Sequence, residues 1–268
     1  TGEWSQRAVV EAKRVGNVHV AGSSEGEKFR RIPRDNELQF SPSPAYVHIT
    51  TNNTIFGTQW HRDPELPKSC GPLIADVSSD FLSRPMEVER YGLIYAGAQK
   101  NAGPAGLTLV LLREELLPVD KALQARLPIA LNYRTHLENK SLYTTPPVFA
   151  IYVTHLVLRW LLRQGGLSAV ARHNQEKAAY IYQAIDAAPG FYNGHADPAS
   201  RSLMNITFRL PTEALEDAFV KEARAQGMDG LKGHRSVGGL RASVYNAFPL
   251  DGARALAQFM AEFVRKHG

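Results

Sequence analysis

The sequence predicts an α/β protein: a helix-covered sheet in its first part and a smaller α/β unit after it. Two observations carry that prediction. Four short apolar runs, "AYVHIT", "PLIADV", "GLIYAGA" and "LTLVLL", fall within residues 45–112, and each is continuous rather than alternating. Continuous runs of that length mark strands covered on both faces. Beyond residue 145, helix-length segments alternate with single strand-like runs, the pattern of a compact α/β unit.

Taken in order, the apolar positions from Glu3 to Val15 and the stop at Gly16 predict a first helix. "NVHVAG" predicts a short strand. The polar, proline-bearing "EGEKFRRIPRDNELQFSPSP" predicts mostly loop. The four strands follow. At "TTPPVFAIYVTHLVLRWLLRQGG" a helix is predicted, with Thr145 as its cap, Pro146 and Pro147 in its first turn and Gly165-Gly166 at its end. Its apolar content predicts a central, buried position. Leu167–Ala188 predicts a second helix, stopped by Pro189-Gly190, and "SLMNITFRL" a strand. A helix from about Glu213 to Gln226 has Thr212 as cap and Gly227 as stop; "GGLRASVYNA" is a further strand, and a last helix runs from Asp251 to Gly268. A boundary near Gly165 divides residues 1–165, a large domain, from residues 166–268, a small C-terminal one. There is no internal repeat.

Composition narrows the function. The 268 residues are 44% hydrophobic and 21% charged, an ordinary globular balance, and no run of 18 or more apolar residues is present. The opening "TGEWSQRAVV" has neither a secretory apolar region nor an initiator Met, so a processed or cut start is expected. Cys70 is the sole cysteine; it excludes an intrachain disulfide and a cysteine-rich zinc site and fits a reducing cytoplasm. "PKSCGPL" offers it no activating neighbour, so it reads as an inert thiol. The net charge of +5 suits anionic small molecules. Basic residues are scattered, without the basic–aromatic interleaving of an RNA-binding sheet, so nucleic acid is the weaker reading.

Two residues stand where α/β sheets place chemistry, beyond the carboxyl ends of strands. Asp76 closes "PLIA", and Lys100 follows "GLIYAGAQ". Such a pair is either a strand-end ion pair or the pyridoxal phosphate arrangement, in which a lysine holds the aldehyde and a carboxylate faces the pyridine nitrogen. The residues alone leave both open. "LKGHRSVGGLRAS" sets Lys232, His234, Arg235 and Arg241 among glycines. It reads either as a cradle for a multiply charged anion or as a solvated basic loop. His61, His136, His155, His173 and His195 form no metal-ligand spacing, and His155 reads as a core histidine. "GLIYAGAQKNAGPAG" matches neither GxGxxG nor GxxxxGK[ST]. Trp4 and Trp160 read as packing.

The stretches "ADVSSDFLSRPMEVERYGLIYAGAQKNAGPAGLTLVLLREELL", "TTPPVFAIY", "KGHRSVGGLRASVYNAFPLDG" and "FMAEFVRKHG" closely resemble the phosphoserine aminotransferase family, over nearly the whole chain. The resemblance implies the type I aminotransferase fold, a large pyridoxal-phosphate-binding α/β/α domain plus a small C-terminal α/β domain, and a cytoplasmic homodimer. It implies Lys100 as the Schiff-base lysine, Asp76 as partner of the pyridine nitrogen and Trp4 as the aromatic stacked on the ring. Thr54 matches the residue on the ring's hydroxyl side, and Gln99 a cofactor-contacting neighbour. Thr144 and Thr145 match a pair reaching the partner's cofactor phosphate across the dimer. His234 and Arg235 resemble substrate-phosphate binders, and Arg241 the arginine for the α-carboxylate.

Two departures accompany it. Many relatives have Asn where Thr144 stands, which leaves one donor fewer. The family also has a further N-terminal section, with a Gly-rich phosphate turn and a substrate-binding arginine; this sequence begins after it, so a truncated large domain is expected. The implied reaction is reversible transamination of O-phosphoserine with 2-oxoglutarate, giving 3-phosphohydroxypyruvate and glutamate in serine biosynthesis. The family often accepts a second phosphorylated substrate, from pyridoxine biosynthesis, and the sequence does not decide its use here. The alternatives are another type I aminotransferase, of the alanine–glyoxylate kind, a cysteine desulfurase relative, which the setting of Cys70 counts against, or a fragment that only dimerises or binds anions.

Overall fold

The computed structural model describes residues 1–117, 119–120, 122 and 124–268 in full. Its first sheet has the order β1-β4-β5-β6, with β1 at Val47–Thr50, β4 at Leu73–Asp76, β5 at Tyr91–Gly97 and β6 at Thr108–Leu112. A two-residue hairpin, β2 (Asn52–Asn53) with β3 (Thr58–Gln59), lies between β1 and β4 in sequence. β1, β4 and β5 run parallel, and β6 returns antiparallel to β5. Ala75 and Ala96 are fully buried, with Leu73 and Ile94 beside them. The expectation of two-face burial holds best for β5; Val47, His48 and Ile74 of β1 and β4 are half-buried, and it fails for β6, where Val110 and Leu111 are each 39% exposed. β6 is the end strand and has one neighbour only.

"NVHVAG" is not a strand. Its backbone bond to the rest is Gln39 N–H donating to Ala21 O at 2.8 Å, and Val20 is exposed. Alternating apolar residues form a strand only where a ladder partner exists, and β1 offers its edge to β4 alone.

α1 spans Glu3–Ala12, and the short helices α2 (Lys121–Arg126) and α3 (Tyr133–Glu138) follow β6. α4 (Val148–Arg163) starts after Pro147, not at Thr145, and no side chain caps it. The two prolines hold the preceding backbone extended, so the first turn begins beyond them. Nor is α4 buried: Ala150, Thr154 and Leu161 face inward, but Val148, Phe149 and Leu162 are 67%, 74% and 74% exposed. His155 is exposed rather than a core histidine, and Trp160 is half-buried. Gly165 and Gly166 adopt the left-handed φ values of 94° and 71° that break α4 from α5 (Gly166–Asp186).

The second sheet, order β7-β8-β9, is antiparallel, with β7 at Asn193–Gly194, β8 at Asn205–Arg209 and β9 at Leu240–Ser243. α6 (Glu213–Ala225) begins as the sequence predicts, Thr212 Oγ1 accepting from Leu215 N–H at 3.2 Å. α7 (Leu250–His267) packs against α5. Phe208, Phe219, Phe259, Phe263 and Tyr192 form this unit's core. Among the described residues no helix is long and apolar enough to cross a membrane, and no group of His, Cys, Asp and Glu is arranged to hold a metal.

Candidate active site

The carboxyl ends of β1, β4 and β5 form a ledge: β1 and β4 end side by side, where Thr50 pairs with Asp76, and Asp76 pairs with Tyr95 of β5, which runs two residues further to Gly97. Beyond Asp76 the chain turns, and Ser78 N–H donates to Asp76 Oδ1 at 2.9 Å. Ser78 Oγ in turn accepts from Gly97 N–H at 3.1 Å, which joins the loop after β4 to the loop after β5. Asp76 Oδ2 accepts no hydrogen bond from the described residues. His48 Nε2 and the Tyr95 hydroxyl meet at 3.0 Å beside it. Burial lowers the His48 pKa, against the opposing charge of Asp76, and burial followed by that charge raises the Tyr95 pKa. Both shifts favour the neutral forms of His48 and Tyr95.

Lys100 sits in the turn that follows β5. Gly103 N–H and Ala102 N–H both donate back to Ala98 O, at 2.8 and 3.1 Å, and close the turn. Gly103 is required there: a Cβ would lie 2.2 Å from Thr154 Oγ1 of α4. The Lys100 amine has no ion pair or hydrogen bond among the described residues. It faces the Tyr245 ring, 5.4 Å from the ring centroid. The strand-end ion pair that the sequence left open is therefore not made. Gln99 is exposed, and its side chain folds back over Gly97.

Thr54 is buried in the β2–β3 hairpin, and its carbonyl accepts from Arg241 Nη1 at 3.3 Å. Arg241 lies on β9 opposite Thr207, and its Nε is buried without a partner. Before β9 the chain makes a loop whose neck is Gly233 N–H donating to Gly239 O at 2.7 Å. His234 Nδ1 meets Ser236 Oγ at 2.7 Å on that loop. His234 and Arg241 line one cleft of about 620 Å³, with Lys28, His195 and Arg209. The cleft is strongly cationic. Arg235 points from the same loop and is exposed, outside that lining. Trp4, 41% exposed on α1, has the Arg7 guanidinium 4.9 Å from its ring. The start of its helix is tied to the hairpin of Thr54 by Asn53 Nδ2 donating to Thr1 O.

The structure thus brings Arg241, Thr54 and His234 together, and puts Asp76 at the end of β4 and Lys100 in the turn after the neighbouring β5. Thr144 and Thr145 are exposed ahead of α4 and hydrogen-bond to no other candidate residue of this chain. Sequence reasoning missed a buried polar seam under the ledge. Asn52 Nδ2 donates to Ser79 Oγ and Asn205 Oδ1, both at 2.8 Å, and Ser202 Oγ to Asn52 Oδ1 at 2.6 Å. Asp80 is buried, accepting from Thr51 Oγ1 and from Gln59 Nε2, and burial raises its pKa. The polar run "TTNNT" directly after an apolar strand was the available signal.

Comparison with known proteins gives the family. The Aminotransferase class-V family model matches residues 1–256, and the chain belongs to that family of enzymes. Within the class its similarity is to phosphoserine aminotransferases. It is 54% identical to that of Herpetosiphon aurantiacus over 268 residues, which is 100% of this chain and 73% of the relative. The solved phosphoserine aminotransferase of Bacillus circulans subsp. alkalophilus shares 50% identity at a TM-score of 0.95, covering 100% of this chain and 73% of that one. The pyridoxal-phosphate-bound enzyme of Trichomonas vaginalis shares 37% at 0.89, covering 97% and 73%. An alanine–glyoxylate aminotransferase of Nostoc, 16% identical at a TM-score of 0.71, shares the fold.

Proposed function

We propose that the chain transfers an amino group between O-phosphoserine and 2-oxoglutarate, giving 3-phosphohydroxypyruvate and glutamate, with pyridoxal 5′-phosphate as cofactor. One observation carries this reading: among the described residues an amine without an ion-pair partner, in the turn after β5, and a carboxylate with a free oxygen, at the end of neighbouring β4, stand at one sheet end. Those residues fit the cofactor, whose chemistry when bound is an aldehyde that captures amines and a ring that draws electrons from the substrate's Cα.

Lys100 would hold the cofactor, and its amine would move the proton between the substrate's Cα and the cofactor carbon, as base in one direction and acid in the other. Such proton transfer is worth about 10²–10⁴-fold in rate. Asp76 would face the ring nitrogen and keep a proton there. Trp4 covers the ring face, and Thr54 and Gln99 fix the ring's edge. Arg241 binds the α-carboxylate; its unpartnered buried Nε is a donor left for that purpose. His234 and Arg235 take the substrate phosphate. The work is done by a homodimer in the cytoplasm, with Thr144 and Thr145 reaching the partner's cofactor phosphate. Leu142, Tyr143, Val148 and Phe149, 61%, 46%, 67% and 74% exposed beside those threonines, supply an apolar surface for such a partner.

The test loads the protein with pyridoxal phosphate and assays amino donors with and without a phosphate group. O-Phosphoserine is expected to lead the panel. Equal rates with alanine would favour the alanine–glyoxylate kind of enzyme, and turnover of the phosphorylated hydroxythreonine would add the pyridoxine role. Absence of a visible cofactor band would leave only an anion-binding or dimerising chain.

A further inference from the structure

Lys177 on α5 is 0% exposed and heads the fully buried side chains in volume. A buried cation is costly unless something satisfies it. Among the described residues Lys177 meets no carboxylate. Its ammonium donates instead to three consecutive carbonyls, Val244 O at 3.0 Å, Tyr245 O at 2.7 Å and Asn246 O at 3.4 Å. An ammonium has three donors and no acceptor, so three carbonyls satisfy it in full. Successive carbonyls of an extended strand point to opposite sides; these converge because the chain leaves β9 and turns after Ser243. Burial pushes the Lys177 amine down to about 8.

The turn gathered this way touches the Lys100 loop twice. Asn246 N–H donates to Asn101 Oδ1 at 2.9 Å, one residue from Lys100. The Tyr245 ring presents its face to Lys100 Nζ at 5.4 Å, while its hydroxyl is held by Asn205 Nδ2 at 3.0 Å. The surroundings of the turn are equally fixed. Asn174, one helical turn before Lys177, donates to Asn246 Oδ1 at 2.9 Å and to Ser83 O at 3.0 Å. Asn246 Nδ2 donates to Leu82 O, and Asn101 Nδ2 to Phe81 O, at 2.9 and 3.0 Å. These contacts link α5, the turn after β9 and the loops after β4 and β5 into one unit.

We propose that Lys177 is a positioning residue for Lys100: its ammonium sets the turn at 244–246, and that turn places the Lys100 amine through the Tyr245 ring and the Asn101 side chain. Lys177 itself touches neither substrate nor cofactor. An apolar side chain of the same length fills the space and cannot gather the carbonyls. The inference rests on the reading of Lys100 as the cofactor-holding amine.

The test compares Lys177→Met, Asn101→Ala, the double variant and Lys100→Ala in the full chain loaded with pyridoxal phosphate. It reads the pH midpoint of the visible cofactor band, amide exchange over residues 98–103, and kcat and KM separately. Lys177→Met is expected to keep its far-UV spectrum and to move the midpoint by about half a pH unit or more. Exchange over 98–103 rises about tenfold, and kcat falls about tenfold with KM within about twofold. Asn101→Ala cuts the same linkage at its far end, moves the midpoint in the same sense and can be read even where Lys177→Met folds poorly. The double variant adds nothing to the larger single effect. Wild-type midpoints in both single variants, or full additivity in the double one, overturn the proposal while the loss of the band in Lys100→Ala leaves the reading of Lys100 standing. Retention of the band in Lys100→Ala overturns both.

Discussion

Around β8, α6 and α7 the buried surface is apolar, a cluster of rings set among aliphatic side chains. Phe208 and Phe219 meet at 5.8 Å and 83°, and Phe219 and Phe259 at 4.9 Å and 65°. At the carboxyl ends of β1, β4 and β5 it is made of amides, a hydroxyl, one carboxyl and one ammonium: Thr51, Asn52, Asp80, Asn101, Asn205, Asn246 and Lys177 are all buried. Ring burial is non-directional and tolerates exchange at constant volume. Buried amides are directional, and losing one strands its partners. The first region therefore supplies stability, and the second holds Asp76 and Lys100 in a fixed relation while joining the two sheets.

That contrast can be broken in several places. Lys100→Ala is expected to lower turnover by about 10²–10⁴-fold or more, with Tm almost unchanged, in steady-state assays and a thermal melt. Phe219→Ala does the reverse: it costs about 3–5 kcal/mol in urea unfolding, with kcat per folded molecule retained. A Phe219→Ala protein that is stable but inactive would show that the two regions are not separable in this way. Arg241→Ala is expected to raise KM for O-phosphoserine by about a hundredfold, a charged hydrogen-bond partner being worth about 1.5–3 kcal/mol. An unchanged KM would return the segment to a solvated loop.

Asn52→Ala tests the seam itself. It leaves Ser79, Ser202 and Asn205 without their shared partner, and about 1–3 kcal/mol of stability should go. A cost near zero would mean that the seam does not join the sheets. The smallest effect is at the surface. Arg201 hydrogen-bonds both oxygens of Asp186, at 2.6 and 2.5 Å, and holds its pKa below the ordinary 3.8. A depressed carboxylate stabilises the fold above its unfolded value, and that contribution is lost as pH falls through the folded one. Asp186 is half-exposed, so the acid-side loss is under about 1 kcal/mol. Asp186→Asn should flatten that limb of an unfolding-midpoint profile against pH.

Much of the ring region was legible in the sequence, because its signals are local. Thr212 capping α6, Gly165-Gly166 ending α4 and the runs that became β8 and β9 lie within a few residues of what they control. The apolar runs of the first sheet were equally plain. Failures came where the outcome depends on distant partners. "NVHVAG" has strand composition and no ladder. α4 is apolar enough for a core, yet much of its surface is exposed. At the site, Asp76 and Lys100 were readable from their places after apolar runs. The seam was not, since Asn52 finds Asn205 across 153 residues of sequence and Ser202 across 150. Lys177 was unreadable for the same reason: in sequence it is one more charge on a helix, and only the fold brings three carbonyls to it.

The closed neck of the loop that carries His234 and Arg235 has an evolutionary corollary. A methyl group on Gly233 would come within 2.0 Å of the Gly238 carbonyl oxygen, so the stalk is frozen by main-chain packing. The tip is not: Arg235 and Ser236 are exposed. Selection can therefore rewrite the head of the loop, and with it the guest that is welcomed, without disturbing the frame that holds it. A change at 235 should alter which anion is accepted, whereas a side chain at 233 should disturb the frame itself.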